Sequence, residues 1–204
     1  MRIPANPSNV VFSAVTARAE RDDAFRLVHD AYVRIGLMEP HPTGMRTSPR
    51  HAAPDTSVLV ARRRGALVGT VSLILDTHGG LPMEAFIDVS AQRRASLRLA
   101  EISALAVVEP DVTLPLIQYL YRECIERGVD GLLIACVASH SRFYQRMIGF
   151  SPFATFQQYG EIHQAGDALF LDLAWYRPNG GRFPLHTYLE SGVAAPMSTL
   201  EKAS

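Results

Sequence analysis

The chain is 204 residues long, 48% apolar and 20% charged, with a formal net charge of zero. That length supports one substantial core rather than two comfortable domains, and the charge balance argues against a general nucleic-acid binder, which is basic as a rule. No apolar run reaches the length of a membrane span, and the first residues lack the apolar core of a secretory signal.

In chain order, residues 1–9, with Pro4 and Pro7, read as a loose leader. A short strand (10–15, VVFSAV) precedes a helix whose start carries Glu20, Asp22 and Asp23, where the helix dipole favours negative charge. Ala24, Phe25, Val28, Ala31, Tyr32 and Ile35 follow the spacing of one buried helix face, and Gly36 is a stop. Residues 38–54 are rich in proline, glycine and polar side chains. A loop that long is more often functional than idle, but its His41, Arg46, Arg50 and His51 each read singly as solvated surface. Residues 57–61 and 67–75 form a hairpin about the charged turn RRRG, and 81–97 is a mixed stretch without clear periodicity.

Residues 99–109 (LAEISALAVVE) read as a buried central strand. Thr113 then caps a helix with Ile117, Leu120, Tyr121 and Cys124 on its buried stripe. GLLIACVA at 131–138 is a second apolar strand, and Ser139 or Ser141 caps a short helix closed by Gly149. Strands follow at 153–162 and 168–175, then a tail rich in glycine and proline whose Phe183 and Leu185 are positioned to dock on the body. The pattern is an α/β (α+β) domain over residues 10–176, with helices flanking a mixed, largely antiparallel sheet and an extension, partly mobile, over 177–204. The strand–helix–strand unit at 99–138 supplies one parallel crossover.

There is no G-x-x-x-x-G-K-[ST] phosphate loop, no G-x-G-x-x-G fingerprint and no G-x-S-x-G elbow. The seven histidines lack familiar metal spacing, so no metal site is expected. Cys124 and Cys136 lack it too and read as reduced core residues of a cytoplasmic protein. Glu101 stands out as a carboxylate inside an apolar run. Such a group must be hydrogen-bonded, carry a raised pKa, or both, which makes it the first candidate for chemistry. A surface acid tied by an arginine remains the alternative on the residues alone. Tyr144, in the cluster SHSRFYQRMIGF after an apolar strand, reads equally as a cleft phenol or as a packed one.

The order of elements and the run from Phe143-Tyr144 to Gly149-Phe150 resemble a GNAT-type acyltransferase. More closely, LVGTVSLIL (67–75), GLPM (80–83), LAEISALAV (99–107) and HSRFYQRMIGF (140–150) resemble the long-chain N-acyl amino acid synthases of FeeM type, relatives of the acyl-homoserine lactone synthases. The resemblance covers residues 12–173. It implies transfer of a fatty acyl group from an acyl-carrier-protein thioester to the α-amino group of an amino acid, with the acyl-phosphopantetheine as donor substrate and no tightly bound cofactor.

On that reading Glu101 is the base that deprotonates the amine and Ser103, two residues on, orients amine or water. Leu105, Ala106 and Val107 offer backbone N–H groups and apolar side chains to the acyl thioester, together with Phe143. Tyr144 matches the position of a tyrosine that protonates the departing thiolate. Its spacing to Gly149 is one residue longer than usual in that class, which leaves Phe143 as the alternative occupant of the slot. The segment EPDVTLP (109–115) replaces the glycine-rich turn that cradles a coenzyme A pyrophosphate, with two acids and two prolines. Arg93, Arg94 and Arg98 are the candidate docking patch for an acidic carrier protein. A lactone-signal synthase and a non-catalytic module that binds acyl chains or a carrier protein are the competing readings.

Overall fold

The computed structural model describes residues 9–77, 79–96 and 98–194. The strands are β1 (Val10–Val15), β2 (Thr56–Arg63), β3 (Ala66–Leu75), β4 (Leu99–Val107), β5 (Gly131–Val137), β6 (Ser151–Phe156) and β7 (Gly166–Asp172). They form one sheet in the order β1-β2-β3-β4-β5-β7-β6. Every neighbouring pair is antiparallel except β4 and β5. These two run parallel because the helix between them carries the chain back along the sheet, as the apolar pattern of 99–138 requires.

Helix α1 (Arg18–Arg34) covers one face, burying Ala24 and Phe25 against Val58 and Val60, and Val28 against Ala104 and Ala106. Ile35, expected on that buried stripe, is the residue after the helix and is 62% exposed. Helix α3 (Thr113–Glu126) covers the other face with Leu116, Ile117, Leu120, Tyr121 and Cys124. Thr113 does not cap it; a single 3-10 turn, Pro110–Val112, feeds directly into the helix. Neither Ser139 nor Ser141 caps α4 (Ala138–Phe143), since the helix starts immediately after β5.

The mixed stretch before β4 contains a short turn at Pro82–Ala85 and helix α2 (Ser90–Ala95). The expected last strand is shorter than its apolar pattern. Asp172 accepts a hydrogen bond from the Trp175 N–H at 2.8 Å, and this N-cap starts α5 (Leu173–Asn179) where periodicity alone continues the strand. The expected boundary after residue 176 thus falls inside a helix. Leu185 is fully buried and Phe183 packs on the core, as expected of the tail, and α6 (His186–Ala194) lies against α3. Residues 1–8 of the expected leader and 195–204 of the extension lie outside the described residues.

Candidate active site

Strand β4 is hydrogen-bonded on both sides only in its first half. Its pairing with β5 runs from Leu99↔Gly131 to Ile102↔Ile134 and stops. Beyond that point the two parallel strands part. On the other edge β4 stays with β3, but Thr70 pairs with Ala106 while Ser72 pairs with Ser103, so Ala104 and Leu105 together face Val71. This bulge places Ala104 at φ 55°, a left-handed conformation unusual for a residue with a side chain. Val108 donates to Val68 O at 2.8 Å on the β3 side. By strand alternation the Val107 N–H points into the gap.

The parted strands open a cavity of about 550 Å³ that passes through the sheet, lined from the α1 face by Tyr32, Arg46 and Tyr159 and from the α3 face by Thr113, Ile117, Phe143 and Tyr144. Glu101, Ser103, Leu105, Ala106, Val107, Phe143 and Tyr144 all line it. Glu101 and Tyr144, far apart in sequence, are thereby brought to one space. Leu105 and Val107 pack toward the α3 face and Ala104 and Ala106 toward α1, the phase shift that a bulge imposes.

Glu101 is 1% exposed. One carboxyl oxygen accepts the Met83 N–H at 2.9 Å, and the other accepts a hydrogen bond from the Tyr159 hydroxyl. Burial lifts its carboxyl to about 7 despite these two donors and the nearby Arg46 charge. The surface-acid alternative is excluded, because no arginine ties Glu101 and almost none of it meets bulk water. A base with a pKa near the working pH is well matched to proton transfer.

Ser103 accepts a hydrogen bond from His51, a residue whose loop position alone suggested surface. His51 is 3% exposed. The Ser48 N–H donates to its Nδ1 at 3.2 Å, so in the neutral ring the proton sits on Nε2, 3.2 Å from Ser103 Oγ. Burial, reinforced by the Arg46 charge, pushes His51 down to about 4, which keeps the ring neutral. Ser103, having accepted from His51, retains its own O–H to donate into the cavity.

Across the sheet, Tyr144 is largely buried between the rings of Phe143 and Phe150, and burial raises its pKa, so the phenol stays protonated. The extra residue before Gly149 is absorbed in a wide turn, Tyr144–Ile148, closed by Gly149 N–H donating to Tyr144 O at 2.9 Å, five residues back. Gly149 itself sits at φ 111°, which a side chain adopts only with strain. The wide turn lets both Phe143 and Tyr144 reach the cavity, so neither displaces the other. Cys136 also lines it, but burial pushes its thiol up to about 12 and leaves it a poor nucleophile.

The turn before α3 cannot act as an open phosphate cradle. The N–H groups of Val112 and Thr113 donate within the 3-10 turn, Pro110 and Pro115 have none, and Glu109 and Asp111 both pair with Arg63. The three candidate docking arginines lie away from the cavity. Arg93 is held by Asp76 at 2.6 Å and Glu84 at 2.7 Å, Arg98 donates to Arg127 O at 2.6 Å, and Arg94 is exposed on α2. The basic groups at the cavity are instead Arg34, Arg46 and His140. No group of three or more His, Cys, Asp or Glu side chains that could hold a metal ion occurs among the described residues. None of their helices is long and apolar enough to cross a membrane.

A largely antiparallel sheet parted along its one parallel pair, with a bulged strand presenting N–H groups to the opening, defines the GNAT class of acyltransferases. Within that class the chain belongs to the N-acyl amino acid synthase FeeM family, whose model matches residues 23–171. The solved structure of FeeM, an N-acyl amino acid synthase from uncultured soil microbes, superposes with a TM-score of 0.74 at 24% identity, covering 88% of this chain and 97% of that one. The AHL synthase LasI gives 0.61 at 15% identity over 80% of this chain and 90% of its own. The CoA-dependent acyl-homoserine lactone synthase BjaI gives 0.57 at 20% identity over 92% and 90%. At these identities the structures share the fold. No curated protein sequence matches the chain significantly. The protein is an acyltransferase.

Proposed function

We propose that the protein transfers a long-chain acyl group from a carrier-protein thioester to the α-amino group of an amino acid. The observation that carries this is Glu101: a buried carboxyl near neutrality, beside a strand edge that has lost its partner. An amino acid arrives as an ammonium and must lose a proton before it can attack. Glu101 takes that proton. The nitrogen then adds to the thioester carbonyl, whose oxygen faces the Val107 N–H and the Ser103 hydroxyl as negative charge develops. Collapse breaks the C–S bond, forms the amide and releases a second proton from nitrogen. The departing sulfur meets the Tyr144 hydroxyl and leaves as the thiol. The net products are amide, thiol and one proton.

Leu105, Ile117, Ile134 and Phe143 give the thioester side an apolar lining suited to an alkyl chain. The occupied amides and paired acids before α3 favour a pantetheine arm with one phosphodiester over a free coenzyme A pyrophosphate. A carrier bringing that arm to the opening would meet Arg34 and His140. The test is incubation of the purified protein with acyl-carrier protein, or with the matching acyl-coenzyme A, and a mixture of amino acids, followed by mass spectrometry. N-acyl amino acids formed faster from the carrier are the expected result. Thiol release without an N-acyl product, or faster use of coenzyme A, would overturn the acceptor or the donor assignment respectively.

A further inference from the structure

Arg46 is the one charged group at this cavity that the reaction described above leaves without a task on the α1 side. It comes from the long loop between α1 and β2, and its backbone N–H is anchored to Phe25 O at 3.1 Å. The guanidinium lies over the Tyr32 ring, 5.2 Å from the centroid. Tyr32 in turn donates from its hydroxyl to Leu105 O at 3.1 Å, so the arginine is stacked on the side chain that holds the bulged strand. No carboxylate among the described residues forms an ion pair with Arg46, and its buried Nε has no hydrogen-bond partner there.

Arg46 is half-buried, and a buried N–H without a partner is costly to keep unpaired. The ring contact offsets part of that cost. Glu101 is near enough for each to feel the other's charge, yet both its oxygens already accept hydrogen bonds from Met83 and Tyr159. The planar fork of the guanidinium is therefore left for a group that the protein does not supply. Carboxylates match that fork in two parallel hydrogen bonds.

We propose that Arg46 binds the α-carboxylate of the amino-acid acceptor and is the residue that discriminates it from an amine, an amino-acid ester or a peptide N-terminus bearing no nearby carboxylate. The inference rests on the acyl-transfer reading above and names the residue that recognises its acceptor. A zwitterionic amino acid carries its ammonium and carboxylate on one carbon. The cavity carries one carboxylate base and, half-buried on the same face of the sheet, the Arg46 guanidinium, whereas Arg34 at the same cavity is exposed to solvent. With the carboxylate on Arg46, the ammonium is turned toward Glu101 and the gap between β4 and β5. Arg46 thereby fixes both which molecules enter and which way the nitrogen points.

Wild-type protein, saturated with acyl thioester, is to be compared on the proteinogenic amino acids, their methyl esters and their decarboxylated amines. One charge-assisted pair corresponds to about 10- to 100-fold in kcat/KM, and the acids are expected to lead by at least that margin. In Arg46→Met the acid-to-ester ratio collapses, chiefly through KM for the acid, while the shift that loss of the charge imposes on Glu101 acts on acids and esters alike. Arg46→Lys, which keeps the charge but not the fork, restores part of it. Esters used as well as acids by the wild type, or an acid-to-ester ratio unchanged in Arg46→Met, would overturn the proposal. If no amine discharges the thioester, the acyl-transfer reading fails on its own account. Calorimetry with the amino-acid mixture then still decides the arginine: binding of acids that is lost in Arg46→Met supports it, and equal binding of acids and esters refutes it.

Discussion

The two halves of β4 make a controlled comparison within one strand. Leu99–Ile102 is paired on both edges, and its side chains serve both cores, with one carboxyl set among them. The residues from Ser103 onward keep only the β3 edge, pass through a bulge and line an opening. Apolarity is the same in both halves. What differs is whether the backbone has a partner, and that difference turns an ordinary buried strand into one with N–H groups to offer a ligand.

The comparison breaks first at Glu101, which sits in the paired half but lines the cavity of the open one. Glu101→Gln preserves shape and hydrogen bonding, since the amide oxygen accepts from Met83 and the NH2 donates to Tyr159. Thiol-release assays are expected to fall by about 10²- to 10⁴-fold. Wild-type turnover rises with pH as the carboxyl ionises near 7, and the variant loses that rise. A variant with near-normal activity and the same pH profile would remove Glu101 as the base.

The second effect is on stability. The folded-state pKa of Glu101, about 7, lies above the ordinary value of 4.5, so the folded protein holds a proton that the unfolded chain has lost. Stability from this group is therefore present at low pH and falls as pH rises from 4.5 through 7, by about 3 kcal/mol in all. Denaturant melts should find Glu101→Gln gaining on the wild type across that window. His51 runs the other way: its pKa is lowered from 6.5 to about 4, so its contribution is complete above 6.5 and is lost as pH falls toward 4.

A smaller effect is expected at Tyr144. Tyr144→Phe keeps the ring packing and removes the donor proposed for the departing sulfur, and a loss of about 10-fold in kcat is expected for one hydrogen bond. If leaving-group departure depends on it, activated thioesters with more acidic thiols will recover most of the loss.

The smallest effect sharpens the contrast between the halves. Ala100→Gly, in the regular part, is expected to cost about 1–2 kcal/mol in lost methyl burial and added chain freedom. Ala104→Gly incurs the same losses but relieves the left-handed φ of 55°, so its net change is expected within about 0.5 kcal/mol of zero. Equal costs at both positions would mean that the bulge carries no strain.

Glu101 was legible in the sequence because a single carboxylate in a long apolar run violates the burial pattern around it. Ser103 and the backbone of 105–107 followed from it by strand alternation. Tyr159, His51 and Arg46 gave no such signal. His51 and Arg46 sit in a polar, irregular loop, and Tyr159 lies in a stretch that reads as strand but leaves it after Phe156; each reaches the site through contacts far apart in sequence: Tyr159 to Glu101, His51 to Ser103, Arg46 to Tyr32. The length of the loop carrying Arg46 and His51 was the only hint. The arginines at 93, 94 and 98 drew attention by density, but density does not locate them, and the fold holds them beside the paired half of β4. Similarly α5 and α6 were hidden because a side-chain cap and tertiary packing decide them rather than periodicity.

The gap has a mechanical meaning as well as a chemical one. Four residue pairs between β4 and β5 are all the strand pairing that joins β1–β4 to β5–β7. The sheet is thus two panels hinged along a short seam, with the cavity as the open end of the hinge. Any small rotation about the seam changes the width of the opening most where Val107 and Val137 stand. A substrate touching both panels works as a clasp, tying them together beyond the reach of the seam.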